Sequence, residues 1–542
     1  MTQVAASPRR VRREVDARHQ RAVRTGPPLA RRGRHATPVG QGFGYLVGWT
    51  ILGTMVPGSG LVAAGRRMLG GLIITGTVVL GAAAAAFVLV NGNQKAVIRL
   101  GSDTDFLLVA AVSVTTLGLV WALVVLGTHG ALRRGAELSG GQKVLAFGLV
   151  LALVGAIGIP TAEATRYTLI HRDLVMTIFS DEDDPTTGVK PQAEKPNPWA
   201  GIPRVNVMLL GGDDGAGRVG TRPDTVILAS VDTRTGNTVL FNIPRNLEKA
   251  PFPPGTQGHA AWPDGFGPTF GGPQYNCGQS GELCFFNAIW ATAEANRQYF
   301  PGVRNPGLLA TKQAVEGVLG LKVDYYGKLN LAGFEDFVDA IGGVTLNVKR
   351  DIPIGGGTNQ LTGGKNPIHG WIRTGRRHLN GKYALWFARS REGSDNWERM
   401  QRQQCVIGAL TRQADPLKVA RAYPRLAVSA KKNISTNIPR QQIDAWVELA
   451  LKVKDAEVTS LTLNKAVIGG DAANPDFYRI QLLVRRAIRA STAPKPTPTP
   501  TVDPVTGATV TPSPTSSPRR TQRPTTTRTV DPSRAQSITD IC

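Results

Sequence analysis

The segment GGDDGAGRVGTRPDT, Gly211 to Thr225, joins two apolar runs, VNVMLL and VILASV, through five glycines, two arginines and the adjacent acids Asp213 and Asp214. Asp213 and Asp224 stand at the two ends of this loop, each beside the end of a strand-like run. Hard cations such as Mg2+ (or Mn2+) are held by one or two carboxylates together with phosphate oxygens, so the pair suits a metal–phosphate site. Either acid alone reads more plainly as a turn cap. Arginines tip the balance. Arg222 precedes Asp224 by two residues, and Arg245 closes the third apolar run in NIPRN. Arg389 and Arg391 alternate in FARSR, which on an extended segment places both on one face. Arg399, Arg402 and Gln403 fall at i, i+3 and i+4, on one side of a helix. Planar guanidinium forks at strand ends and along one helix face are the means of clamping the several oxygens of a pyrophosphate. Asp395, in REGSD, is the candidate for taking a proton from an attacking hydroxyl. Other chemistries fare worse, since there is no G-x-S-x-G elbow, no Walker loop and no H-E-x-x-H.

Alternating helical and strand-like segments must position these side chains. VNVMLL, TVILASVD and TVLFNIP predict three neighbouring strands, with a helical region over 287–319 and a strand at VDYYGKLN. LAGFEDFVDAIGG predicts an amphipathic helix stopped by Gly342 and Gly343. VTLNV is a further strand, LNGKYALWFARSR a helix leading into a strand, and ERMQRQQCVIGALTRQ a helix. The alternation indicates a layered α/β domain. Residues 416–489 continue it with helices and the strand-like VTSLTLN, and beyond Ser491 the Thr/Pro/Ser composition predicts a tail without structure.

The net charge of +24 and ten arginines among the first forty residues invite a nucleic-acid reading. Three uncharged runs, Gly71–Val90, Phe106–Thr128 and Val144–Ala162, each near the roughly 20 residues of a membrane-spanning helix, point instead to lipid. A fourth stretch, Phe43–Ala64, is broken by Pro57 and Gly58 and is read as interfacial or re-entrant. Three spans keep both the basic arm and the loop with Arg133, Arg134 and Lys143 inside, and place everything after Ala162 outside. The expected organisation is a basic cytoplasmic arm (1–42), a membrane region (43–165), a linker (166–203), an extracytoplasmic catalytic domain (204–489) and a Thr/Pro-rich tail (490–542), in a multi-pass membrane protein with no nucleic-acid partner. All four cysteines, Cys277, Cys284, Cys405 and Cys542, fall in the external part, where disulfides persist. Cys277 with Cys284 and Cys405 with Cys542 are the candidate pairs, and a buried free Cys405 is the alternative.

The motifs VNVMLLGGD, TRPDTVILASVDTRTGNTVLFNIPRN, GLKVDYYGKLNLAGFEDFVDAIGGVTLNV, LNGKYALWFARSR and DNWERMQRQQCVIGAL, in this order over about residues 204–489, resemble the LytR-CpsA-Psr family of Gram-positive bacteria. The resemblance implies an α/β/α fold with an apolar tunnel for a polyprenyl chain. It also implies a phosphotransferase that takes a glycopolymer from an undecaprenyl-pyrophosphate donor and joins it to peptidoglycan through a phosphodiester. By motif position Asp213 and Asp224 would hold Mg2+. Arg222, Arg245, Arg389, Arg391, Arg399 and Gln403, with Arg402 beside them, would contact the phosphates. Asn246 stands where many members carry an acid, and Asp214 falls off the motif. A pyrophosphatase using the same residues, and a polyprenyl-pyrophosphate-binding regulator without turnover, are the alternative functions.

Overall fold

The computed structural model describes residues 42–92, 94–179, 188–192, 195–212, 222–267, 282–357, 364–413 and 416–493, with 501–502, 509–510, 531 and 533–537 of the tail. The chain divides into two compact units, one of residues 1–77 and 121–155 and the other of 78–120 and 156–542. The long helices α3 (Arg67–Asn91), α5 (Thr104–Arg133) and α6 (Gly140–Ile178) contribute to both and follow α1 (Phe43–Met55) and α2 (Ser59–Ala63); α4 (Gln94–Ser102) lies between α3 and α5.

These three long helices are long and apolar enough to cross a membrane. At about 1.5 Å per residue, the 13 residues of α1 reach only about 20 Å, short of a hydrocarbon core about 30 Å thick. Pro57 and Gly58, the latter at φ 98°, end its path. Within the first unit α1 and α2 pack tightly on α5: a Cβ on Gly60 would lie 2.3 Å from Thr128 Cγ2, and Trp121 Nε1 donates to Thr54 O at 3.0 Å.

The second unit is built on a seven-stranded sheet. Its strands are β1 (Arg204–Gly212), β2 (Pro223–Asp232), β3 (Thr238–Ile243), β4 (Tyr325–Asn330), β5 (Val344–Val348), β6 (Ile352–Gly355), β7 (Ile368–Ile372), β8 (Gly375–Leu379), β9 (Ile434–Thr436) and β10 (Val458–Thr462). Its helices are α7 (Gln257–Ala261), α8 (Ile289–Ala295), α9 (Pro306–Leu319), α10 (Leu331–Ala340), α11 (Gly381–Arg389), α12 (Asn396–Gln413), α13 (Pro416–Asn433), α14 (Ile443–Asp455), α15 (Lys465–Ile468) and α16 (Phe477–Thr492). The sheet order is Gln536–Ser537, β10, β3, β2, β1, β4, β9. Because successive side chains of a strand face opposite ways, Leu228 packs on one face with α9 and α16 while its neighbour Ile227 packs on the other with Ile407 of α12. Helices on both faces bury β2 and β3 almost completely, which explains why they read as unbroken Val/Ile/Leu runs. The result is an α/β/α sandwich. Beside it, β5 pairs with β8 and β6 with β7, and these two ribbons share an apolar cluster with α10, α11 and α12.

Three expectations are corrected. FARSR is not a strand: α11 ends at Arg389, and Ser390 begins a loop. The linker is not a free spacer, because α6 runs on to Ile178 and Trp199 is buried, its Nε1 donating to Ala445 O at 3.0 Å. His171 of that helical extension meets the Tyr423 hydroxyl and donates from Nε2 to Gly101 O at 2.7 Å. The tail is not wholly apart from the fold either, since Gln536–Ser537 pairs antiparallel with β10. Finally, β6, β7 and β8 were hidden by their glycines, prolines and charges.

Candidate active site

β1 and β2 are antiparallel, as are β2 and β3, so the end of β1, the start of β2 and the end of β3 share one end of the sheet. Asp224 and Arg245 meet there. Arg245 Nη1 donates to Asp224 Oδ1 at 2.6 Å. Gly212, the residue before Asp213, is the register partner of Pro223. Asp213 itself lies outside the described residues.

The N-terminal turn of α12 closes the site from above the strand ends. Asp395 caps that helix, its Oδ1 accepting from Glu398 N at 2.8 Å. Arg399, one turn in, is only 2% exposed, and its Nη2 donates to Asp224 O at 2.8 Å. Its Nε is buried with no partner among the described residues. Asn396 Nδ2 donates to Asn246 Oδ1 at 2.7 Å, tying the loop after β3 to the same turn.

The electrostatics follow from this packing. Burial alone would raise the Asp224 carboxyl, but Arg245, Arg399 and Arg391 outweigh it and hold it below the usual carboxylate range. Burial is also the main cause that pushes Arg399 down to about 10, with Asp224 opposing and Arg245 and Arg391 adding to the fall. Both groups are charged at neutral pH. Asp224 is therefore a poor proton acceptor and a good anchor for cations.

Not every arginine joins the cluster. Arg391 is exposed but near enough for its charge to act on Asp224. Arg402 donates to Ser390 O and, at 3.1 Å, to Ser394 Oγ, and so braces the 390–394 loop; burial pushes it down to about 10. Arg389 lies over the Trp386 ring at 5.5 Å, and its charge acts on Glu335 of α10. Arg222 and Gln403 are half-buried, the first just before β2 and the second one turn beyond Arg399. The sequence reading missed Asn396, whose pairing with Asn246 has no signal in composition or period. It also missed how deeply Arg399 is sunk, though the adjacent Met400 offered a hint.

Among the described residues no three His, Cys, Asp or Glu side chains gather as a metal cage. A hard cation bound through one or two carboxylates and substrate phosphates needs no such cage, and of the expected carboxylate pair Asp224, ion-paired to Arg245, is the one among the described residues. Cys284 and Cys405 are both disulfide-bonded, which removes the free-Cys405 alternative. Cys277 and Cys542 lie outside the described residues.

A cavity of about 610 Å³ opens between the sheet and its α12/α14 face. Val207 and Leu209 of β1, Val458 of β10, Ile407 of α12, and Trp446 and Leu449 of α14 line it. Ile407 lies eight residues beyond Arg399 on the same helix, about 12 Å along its axis. One helix thus connects the charged cluster with the apolar cavity.

The LytR_cpsA_psr family model matches residues 179–482, more than half of the chain. The polyisoprenyl-teichoic acid–peptidoglycan teichoic acid transferase TagU of Bacillus cereus is 30% identical over 131 residues, covering 24% of this chain and 39% of that protein. The Oceanobacillus iheyensis protein of the same name is 29% identical over 213 residues, covering 39% of this chain and 51% of that protein. The chain therefore spans about two fifths to one half of the length of these relatives. A solved structure described as TagT bound to LIIa-WTA is 18% identical with a TM-score of 0.36, covering 56% of this chain and 96% of that one.

Proposed function

The chain belongs to the LytR-CpsA-Psr family, and from that premise we propose that it is a membrane-anchored phosphotransferase moving a glycopolymer from an undecaprenyl-pyrophosphate donor onto peptidoglycan. The observation that carries this reading is the pairing of the Asp224–Arg245–Arg399 cluster with the apolar cavity along a single helix. A lipid pyrophosphate has the same two parts. Its polyprenyl chain would occupy the cavity, and its phosphates would meet Arg245, Arg391 and Arg399, with Arg222, Arg389 and Gln403 at the margin. The buried Arg399 Nε supplies a donor for a phosphate oxygen.

In the transfer, an acceptor hydroxyl oxygen bonds to the phosphorus nearest the sugar. The bond from that phosphorus to the bridging oxygen breaks, polyprenyl phosphate leaves, and the hydroxyl proton passes to a carboxylate, which we assign to Asp395. Charge grows on oxygens that guanidinium groups already surround. Mg2+ bound through Asp213 and Asp224 would add further neutralisation of that charge. The donor arrives activated, so no nucleotide is consumed.

The test uses the full chain in detergent with Mg2+, a synthetic polyprenyl-pyrophosphoryl oligosaccharide and uncross-linked peptidoglycan, with all products read by mass spectrometry. The expected result is a phosphodiester-linked product that falls by about 10² or more with Asp224→Ala. Free phosphorylated sugar without linkage would replace the transferase by a pyrophosphatase, and binding without products would leave a capture protein.

A further inference from the structure

The β6–β7 ribbon beside the cluster carries a surface that donor chemistry leaves unused. It is fastened to the arginine loop: Ser390, between Arg389 and Arg391, donates its Oγ to Pro353 O at 2.9 Å. Glu392 accepts from Gly357 N at 3.1 Å and from Lys365 Nζ at 2.9 Å. Trp371 is the register partner of Pro353 and is 46% exposed. His369, at the register shift two residues back, is exposed as well. An indole left half in water, directly across the ribbon from the residue that anchors the arginine loop, is a contact surface awaiting a partner.

The charge around it is one-sided. From Gly364 to Lys382 the chain has five cations and no acid. Arg373 is paired with Asp351 at 2.7 Å and Arg377 donates to Arg373 O and Thr374 O, each at 3.1 Å, whereas Arg376 is exposed and makes no ion pair among the described residues. Arg376 stands opposite Asn347 in the β5–β8 ribbon. The donor's phosphates are already met by the arginine cluster. A second cationic surface outside that cluster suits a second anionic partner.

Resting on the transfer reading above, we propose that Trp371 with Arg376 forms the acceptor subsite. Trp371 stacks on a sugar ring of an uncross-linked peptidoglycan strand, and Arg376 binds a stem-peptide carboxylate. A guanidinium–carboxylate fork supplies the charge recognition, and the indole supplies rigid apolar area at low entropic cost.

The test measures binding, not turnover, on the full chain in detergent. The probes are soluble uncross-linked peptidoglycan strands, the same strands with amidated stem carboxylates, and a polyprenyl pyrophosphate. Trp371→Ala and Arg376→Glu are each expected to weaken strand binding by about fivefold or more, the loss typical of a contact worth over ~1 kcal/mol. Amidated strands should bind the unsubstituted protein more weakly than free-acid strands, and polyprenyl-pyrophosphate binding should be unchanged in both variants. Should Trp371→Ala unfold, Arg376→Glu carries the test alone, because that side chain is exposed. Unchanged strand affinity in Arg376→Glu overturns the proposal, as does equal binding of amidated and free-acid strands by the unsubstituted protein. Failure of the transfer reading would register separately, as no phosphodiester-linked product from the unsubstituted protein while strand binding and its loss in Arg376→Glu persist.

Discussion

Asp224 and Asp395 are carboxylates of opposite circumstance. Asp224 is held low by three arginines and stays ionised, while Asp395 is exposed and spends one oxygen on the first turn of α12. The two duties assigned to Asp395, proton acceptor and helix cap, separate by substitution. Asparagine caps as well as aspartate but cannot take a proton, whereas alanine does neither. Asp395→Asn is expected to lower kcat by about 10² with the melting temperature unchanged. Asp395→Ala should lower kcat equally and cost about 1 kcal/mol of stability as well. An asparagine variant with full activity removes Asp395 as the base. Of the arginines, the alternation of Arg389 and Arg391 was legible, but the inference drawn from it failed. The helix ends between them, so one turns to Trp386 and Glu335 and the other to Asp224.

At the scale of elements, α12 is the connecting piece. Its first turn holds Arg399, its middle lends Ile407 and Gly408 to the cavity, and Gln404, fully buried, donates to Thr462 Oγ1 of β10 at 2.5 Å. The strand opposite adds an unexpected wall: Gln536–Ser537 extends the sheet past β10, and Ser537 lines the cavity. Removing residues 531–542, compared on a Cys405→Ser background because Cys542 goes with the segment, should therefore leave the other six strands paired but open the cavity. The expected effect is a several-fold weaker binding of polyprenyl phosphate, from loss of apolar enclosure at about 25 cal/mol per Å². Emission from Trp446, which also lines the cavity, offers the readout through titration of the full and shortened chains. Equal affinities would mean that the tail strand plays no part in enclosing lipid.

Across the whole molecule, one buried acid lies far from the chemistry. Asp324, just before β4, is 4% exposed, and its Oδ2 accepts from Asn206 N at 2.8 Å. Burial dominates over that bond and raises its carboxyl to about 6. A folded-state pKa above the unfolded value of about 3.9 means that the native state holds the proton more tightly. The contribution to stability is then complete below about pH 4 and is lost as pH rises through 6. Asp324→Asn keeps an acceptor for Asn206 and removes the ionisation. The variant's advantage over the parent is expected to be larger near pH 7.5 than near pH 4.5 by on the order of 2 kcal/mol, read as a melting-temperature gap that opens with pH. A gap of the same size at both pH values would contradict the assignment.

What the sequence determined by itself follows from local periodicity and from order along the chain. The apolar lengths of α3, α5 and α6, the alternating strands and helices, the family motifs and the residues Asp224, Arg245 and Arg399 were all legible, because repeat, length and motif are properties of neighbours in sequence. Tertiary structure decided which arginines converge. Arg245 and Arg399 are 154 residues apart and meet on Asp224 only because β2 begins where β3 ends and α12 crosses above them. It also decided that Trp199 and Gln536–Ser537 belong to the fold, since both are held by partners remote in the chain, Ala445 and β10. Composition records the cost of exposing such segments to water but carries no information on the surface that receives them.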